Sequence, residues 1–406
     1  MFRFLFKKVN KKKNLILLYA LGAILAVANA LPAYIQSNFL GTMFSLTWVS
    51  IFFATANLVT IFAIIFFPRL IKKIGNIAAT ETILFLFILS LLGMSLASQP
   101  ILIFAAFILL SVASNLIWIN MDILVESFSE NISTGLTRTI YFTAINLGWI
   151  IAPSLSSFIV ERGNYYLVFI AAAACLVPFL AILIKNSDKL ENNRHYQTGS
   201  IKKTCLKIWK NNNLKGIFFV SLLLNLFFSS AVIYIPIYLY QNLGFDWPAL
   251  GIMFSVMLIP FILLEIPAGW LADKYWGEKE MLSIGLGIII IALFAFFAVQ
   301  ETNPWLWGGL LFLSRVGAAL VEAMRESYFF KIISAKDLDY INFFRITTPL
   351  GYLIGTALAG IILIFYPIQY LFLFIALIMT SGFLSIYILK DLSLIHISQG
   401  IVLSLI

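Results

Sequence analysis

Laid out end to end, this chain of 406 residues contains twelve apolar runs of membrane-spanning length. All but two of its 27 Lys and Arg residues fall on or toward one side of those runs. The exceptions are Arg162, in a short loop on the other side, and Arg315, inside a run. Loops rich in Lys and Arg stay on the cytoplasmic side, so the asymmetry dictates orientation as well as span number, with both ends expected in the cytoplasm. A helix needs about 20 apolar residues to cross a ~30 Å hydrocarbon core. The runs are continuously apolar rather than alternating, which argues for helices and against a barrel.

Composition excludes a soluble enzyme, because 62% of the residues are hydrophobic and only 11% charged, with a mean hydropathy of +0.99. A net charge of +9 would suit nucleic acid. The basic residues, however, gather in the amino-terminal tail (Arg3, Lys7, Lys8, Lys11, Lys12, Lys13) and in one central loop, so membrane lipids with anionic headgroups are the expected partner and nucleic acid is not. The first run, near 14–36, is followed by further spans, and is expected to act as its own signal anchor in a cytoplasmic (inner or plasma) membrane. Cys175 and Cys205 lie far apart and His195 and His396 form no pair, so no metal or cofactor is expected. There is no His-Glu-x-x-His helix, phosphate-cradling Gly-rich loop or nucleophile elbow, which argues against an enzyme and against an ATP-driven pump. Residues 392–406 include Leu392-Ser393-Leu394-Ile395-His396-Ile397, which resembles the translation of a sequencing-library adaptor, and they carry no functional argument here.

The spans read as 14–36, 46–68, 77–97, 101–126, 138–160 and 165–185, then 214–241, 248–272, 280–299, 304–330, 342–364 and 367–390. Between the two sets lies a hydrophilic stretch with Lys189, Arg194, Lys202, Lys203, Lys207 and Lys210 against Asp188 and Glu191. The expected domains are therefore a bundle over 1–185, a basic cytoplasmic linker over 186–213 and a second bundle over 214–391. At an offset of 203 residues the fifth and eleventh spans align without gaps: Leu147-Gly148-Trp149 matches Leu350-Gly351-Tyr352, and Ile151, Leu155 and Ile159 match Ile354, Leu358 and Ile362. The expected fold is an all-α membrane protein, twelve transmembrane helices in two pseudo-symmetric six-helix bundles, with a substrate cavity between them near the midplane. Small residues recur every four positions in the matched spans: Gly148, Ala152 and Ser156, beside Pro153, and Gly351, Gly355 and Ala359. That spacing lets helix backbones approach closely in lipid.

Where the eighth span meets the cytoplasm stands Gly269-Trp270-Leu271-Ala272-Asp273-Lys274-Tyr275-Trp276-Gly277-Glu278-Lys279. This resembles the loop signature of the major facilitator superfamily of secondary transporters, with one extra residue before Gly277 and with Glu278 where that family has a basic residue. The first-half counterpart, Pro68-Arg69-Leu70-Ile71-Lys72-Lys73-Ile74-Gly75, keeps the glycine and the basic character but has Lys72 at the Asp position. Gly148 to Ser157 resembles the family's antiporter signature with Ala and Ser replacing glycines. The resemblance implies the major facilitator fold. It also implies that Gly269, Asp273, Lys274 and Gly277 form a conformational latch with the start of the fifth span, near Arg138. A carboxylate is favoured at a helix amino terminus and beside a cation.

Charges inside the spans carry the functional information, since each must face a partner or water. The tenth span holds Arg315, Glu322, Arg325 and Glu326, of which residues 315, 322 and 326 share one helical stripe. The fourth span has Asn115, Asp122 and Glu126 at the same spacing. Glu322 lies one turn from Arg325, giving either a structural pair or a proton carrier opposed by its neighbour. Arg315 has no partner on its own helix; a substrate anion, Glu265 of the eighth span, or water can answer it. Asn29, Asn225 and Tyr234 are further candidates for lining a cavity. The expected function is a monomeric secondary transporter, neither enzyme nor pump, that moves a small solute by alternating access. Proton-coupled efflux of a drug or sugar-like solute, by antiport or symport, with protons or another ion as the coupling partner, is the leading form. An importer of the same fold, or a non-transporting membrane protein that keeps it, is the alternative.

Overall fold

The computed structural model describes residues 2–128, 134–162, 164–190, 201–333 and 338–391. Some side chains within those helices, among them Glu126, Arg138, Arg162, Glu265 and Asp273, lie outside the description, as do His195 and residues 392–406. Among the described residues the regular structure is entirely helical. The long helices are α1 (Phe2–Ala33), α2 (Leu46–Ile74), α3 (Asn76–Leu96), α4 (Pro100–Phe128), α5 (Thr134–Arg162) and α6 (Tyr165–Lys185). They are followed by α7 (Asn212–Ser229), α8 (Trp247–Val256), α9 (Ile259–Leu271), α10 (Gly277–Ala298), α11 (Pro304–Ile332), α12 (Thr347–Phe365), α13 (Gln369–Met379) and α14 (Ser381–Ile388).

Among the described residues, eleven helical stretches are long and apolar enough to cross a membrane, and one of them, Trp247–Ala298, has 52 residues. At about 20 residues per crossing that stretch is long enough to cross twice. It divides at Gly277, whose φ of 80° and ψ of 163° suit a residue without a Cβ. Two further breaks depart from the continuous spans expected of the sequence. The seventh span leaves α-geometry at Ser230–Tyr234 and Tyr238–Asn242, wide π-turns on either side of Pro236. The eighth is interrupted at Met257-Leu258, just before Pro260 at the start of α9. In both places a proline has no N–H to offer the ladder, and its ring disfavours helical geometry in the residue before it.

Contacts divide the chain into two units, 1–198 with 246–255, and 199–245 with 256–406. Within the first, α1 packs on α5 and α6, α2 on α4, and α3 on α4 and α6. Within the second, α7 packs on α12 and α14, α9 on α11, and α10 on α11 and α13. These are the same pairings, one half chain apart: first span with fifth and sixth, second with fourth, third with fourth and sixth. Asp246–Ser255, which the sequence assigns to the second bundle, makes its contacts in the first unit. There the Ser255 and Ser154 hydroxyls lie 2.7 Å apart, Ser154 Oγ donates to the Gly251 carbonyl at 3.2 Å, and Phe254 stacks on Tyr34 at 5.1 Å.

Without a hydrophobic effect between helices in lipid, close packing and side-chain hydrogen bonds must hold each unit together. The small-residue ladders serve this. A Cβ on Gly148 would stand 2.9 Å from the Cβ of Ala26 and 3.1 Å from the backbone nitrogen of Val27, so α5 lies directly on the α1 backbone. Gly351 is likewise pressed against Asn225 and the Leu222 carbonyl of α7, and Gly355 against Ser229. Ala152 and Pro153 of α5 are buried. Helix α10 crosses α11 backbone against backbone, where Gly285 and Gly317 each face the other's carbonyl oxygen.

Candidate functional site

Helix α11 begins with a built-in start signal: the Asn303 side chain accepts from the backbone nitrogens of Trp305 and Leu306 at 2.9 and 3.4 Å, and Pro304 occupies the first turn. From there the helix runs 29 residues, about 43 Å at 1.5 Å per residue, and Arg315 lies roughly 16 Å along it. That is near the middle of a ~30 Å core. Arg315 is 1% exposed. Its guanidinium carbon stands over the rings of Phe227 and Phe228 at 5.4 and 5.6 Å, and its Nε has no hydrogen-bond partner.

Seven residues on, roughly 10 Å toward the helix end, Glu322, Arg325 and Glu326 form a separate cluster. Arg325 reaches Glu322 Oε1 at 3.4 Å and Glu326 Oε1 at 3.7 Å. It also donates to Ser221 Oγ of α7 and lies 5.5 Å from the Phe344 ring. Arg345 meets Glu326 at 3.1 Å. Ser221 in turn is 2.8 Å from Thr347 Oγ1 at the start of α12. Two carboxylates of α11 thus face two guanidinia, Arg325 of α11 and Arg345 at the end of the short helix Leu338–Arg345, with the Ser221 and Thr347 hydroxyls alongside. Glu322, whose side chain is 39% exposed, is part of that cluster. Arg315 is not: among the described residues its neighbours are the two rings, and the side chain of Glu265, one of the expected partners, lies outside the description. A cation at mid-bilayer costs at least ~2.5–3.5 kcal/mol, and two cation–π contacts return roughly 0.5–2 kcal/mol each, so the aromatic cradle offsets part or all of that cost without supplying a counter-charge.

The other candidates lie elsewhere in the two units. Asn225 is buried and donates to the Ser221 carbonyl at 2.8 Å, and Tyr234 is fully buried in the first π-turn. In the first unit, Asn115 donates to the Ser111 carbonyl at 2.9 Å, while Asp122 and Asn29 are half-buried. A buried polar cluster in the same unit had no local signal in the sequence. Asn120 donates to Thr80 Oγ1 at 2.5 Å and to the Asn76 carbonyl at 3.1 Å, and the buried Tyr141 hydroxyl has no partner. Among the described residues no group of His, Cys, Asp and Glu is arranged to hold a metal ion.

The two loop motifs share a backbone feature. Gly75 has φ 85° and ψ 166°, and Gly277 has φ 80° and ψ 163°. This region is open essentially to glycine alone. Each glycine lets one span turn directly into the next. Glu278, the departure from the family pattern, is buried, ion-paired with Lys331 of α11 and bonded by Ser327 at 3.2 Å. Its charge is therefore spent inside its own unit. Lys274 rests on Trp270 and Tyr275 at 5.1 and 5.3 Å, and Gly269 has open space around it.

The family model of the Major Facilitator Superfamily matches residues 14–321 and again 242–395. No curated protein sequence matches the chain. Among solved structures, the crystal structure of peptide transporter POT in complex with sulfate superposes with a TM-score of 0.71. It covers 93% of both chains at 13% identity, a likeness of fold. With the family match extending over both halves, and the same helix pairing repeated in each, this chain belongs to the major facilitator superfamily.

Proposed function

We propose that this protein is a multi-pass carrier of the cytoplasmic membrane, both termini cytoplasmic, that moves a small solute by alternating access and draws its energy from an ion gradient. The observation that carries the proposal is the charged stripe on α11: an ion-paired cluster of Glu322, Arg325 and Glu326 with Arg345, and a mid-span Arg315 outside it. Intramembrane charges of this kind are retained for substrates or ions. Proton-coupled efflux is the form we favour, with Glu322, the most exposed carboxylate of the cluster, as proton carrier. Glu265, Asp122, Asn29 and Asn115 are the supporting polar groups. We further propose that Asp273, with Arg138, latches the two halves at the cytoplasmic end.

Two experiments test this. In proteoliposomes, Glu322→Gln should lose the dependence of solute flux on a pH gradient; unchanged dependence removes Glu322 from coupling. Cysteines placed along the cytoplasmic half should become more accessible to labelling in Asp273→Asn, and an unchanged pattern removes the latch.

A further inference from the structure

Among the described residues, Arg315 is the charge on α11 that has no ion-pair partner, and its surroundings specify what would answer it. Glu322, Arg325 and Glu326 form a cluster with Arg345 roughly 10 Å away, in which each carboxylate already faces a guanidinium, and Lys331 is paired with Glu278. The residue is 1% exposed, so water has little access to it. Phe227 and Phe228 lie under the guanidinium, and Phe261 of α9 extends the aromatic wall at 6.3 Å from Phe228. Nε, at one edge of the fork, points to no acceptor.

We infer that Arg315 is the receptor for an oxyanion, and that the solute carried is an organic acid with an apolar, preferably aromatic, body. A guanidinium presents parallel N–H groups that match a carboxylate in two-pronged fashion, and the rings beside it take up an apolar body. A neutral solute offers the fork nothing of equal strength in a desolvated site, which gives the selectivity its physical basis. The inference rests on the transporter reading for the word "carried"; binding alone does not require it.

The test uses full-length purified protein and thermal unfolding with matched probes: benzoate against benzamide, 3-phenylpropionate against 3-phenylpropionamide, and hexanoate against hexanamide. The acids should stabilise the wild type, with at least one aromatic acid binding at least tenfold more tightly than its amide. Arg315→Gln should erase the preference. Arg315→Lys, which keeps the charge but not the fork, should retain a reduced one and covers the case in which Arg315→Gln does not fold. Acids and amides binding alike, no acid binding at all, or a preference unchanged in Arg315→Gln overturns the inference. Solute flux in proteoliposomes separates the two readings. Flux of a neutral solute that survives Arg315→Gln at the wild-type rate sinks the anion receptor and leaves the carrier. Acid binding that depends on Arg315 without flux of any acid sinks the carrier and leaves the receptor.

Discussion

Adding one methyl group at Gly317 should destabilise the second unit more than the same change elsewhere on its helix. A Cβ at Gly317 would stand 2.6 Å from the Gly285 carbonyl oxygen and 3.0 Å from Ile288 Cβ and Ile289 Cγ1. Ordinary contact needs about 3.5 Å, so α10 and α11 must part by roughly 0.9 Å at their crossing. The obstructing atom is backbone and cannot swing aside. Overpacking of this kind costs about 1–3 kcal/mol, which in a unit of this size lowers the unfolding temperature by roughly 2–12 °C. Gly309 and Gly287, on the same two helices, have nothing within 4 Å of a Cβ. Alanine there should leave stability level or raise it by up to about 1 kcal/mol, by helix propensity. The assay is thermal unfolding of Gly317→Ala, Gly309→Ala and Gly287→Ala in one detergent. Equal midpoints for all three would refute the account of this crossing.

Arg325→Gln leaves the carboxylates of Glu322 and Glu326 short of a partner and should cost about 3–5 kcal/mol. Glu322→Gln in the same chain should restore part of it, read as a coupling energy in a double-mutant cycle. Gly277→Ala forces a Cβ into a glycine-only backbone region and should cost roughly 1–3 kcal/mol. Gly269→Ala, in open space, should be nearly neutral, and both are read from unfolding midpoints. Asn303→Ala removes the cap of α11 and should lower stability by roughly 0.5–2 kcal/mol, an effect that Asn303→Asp should avoid.

The spans and the repeat were legible because lipid imposes a simple rule on sequence: long apolar runs, basic loops on one side, small residues where helices touch. Gly148, Gly351 and Gly355 announced their packing by spacing alone, and Glu322 with Arg325 did so by lying one turn apart. The helix breaks beside Pro236 and Pro260 had a local signal that the apolar periodicity outweighed. What stayed hidden was set by distant chain segments. Ser221, Thr347 and Arg345 complete the charge cluster from other elements, and nothing in their local sequence marks them. Phe227 and Phe228 are two of 38 phenylalanines, so only the fold could single them out as the seat of Arg315. The place of residues 246–255 in the first unit is hidden in the same way, since it depends on which backbone Gly251 can approach.

The claim on which the account stands is that this chain carries a solute across a sealed bilayer on the energy of a gradient alone. Purified protein in proteoliposomes, loaded with a pH-sensitive dye and free of nucleotide, tests it directly. The account predicts proton movement that starts only when a transported solute is added and that tracks the imposed gradient. Solute-independent proton movement, or no movement while lipids exchange between leaflets, would contradict it.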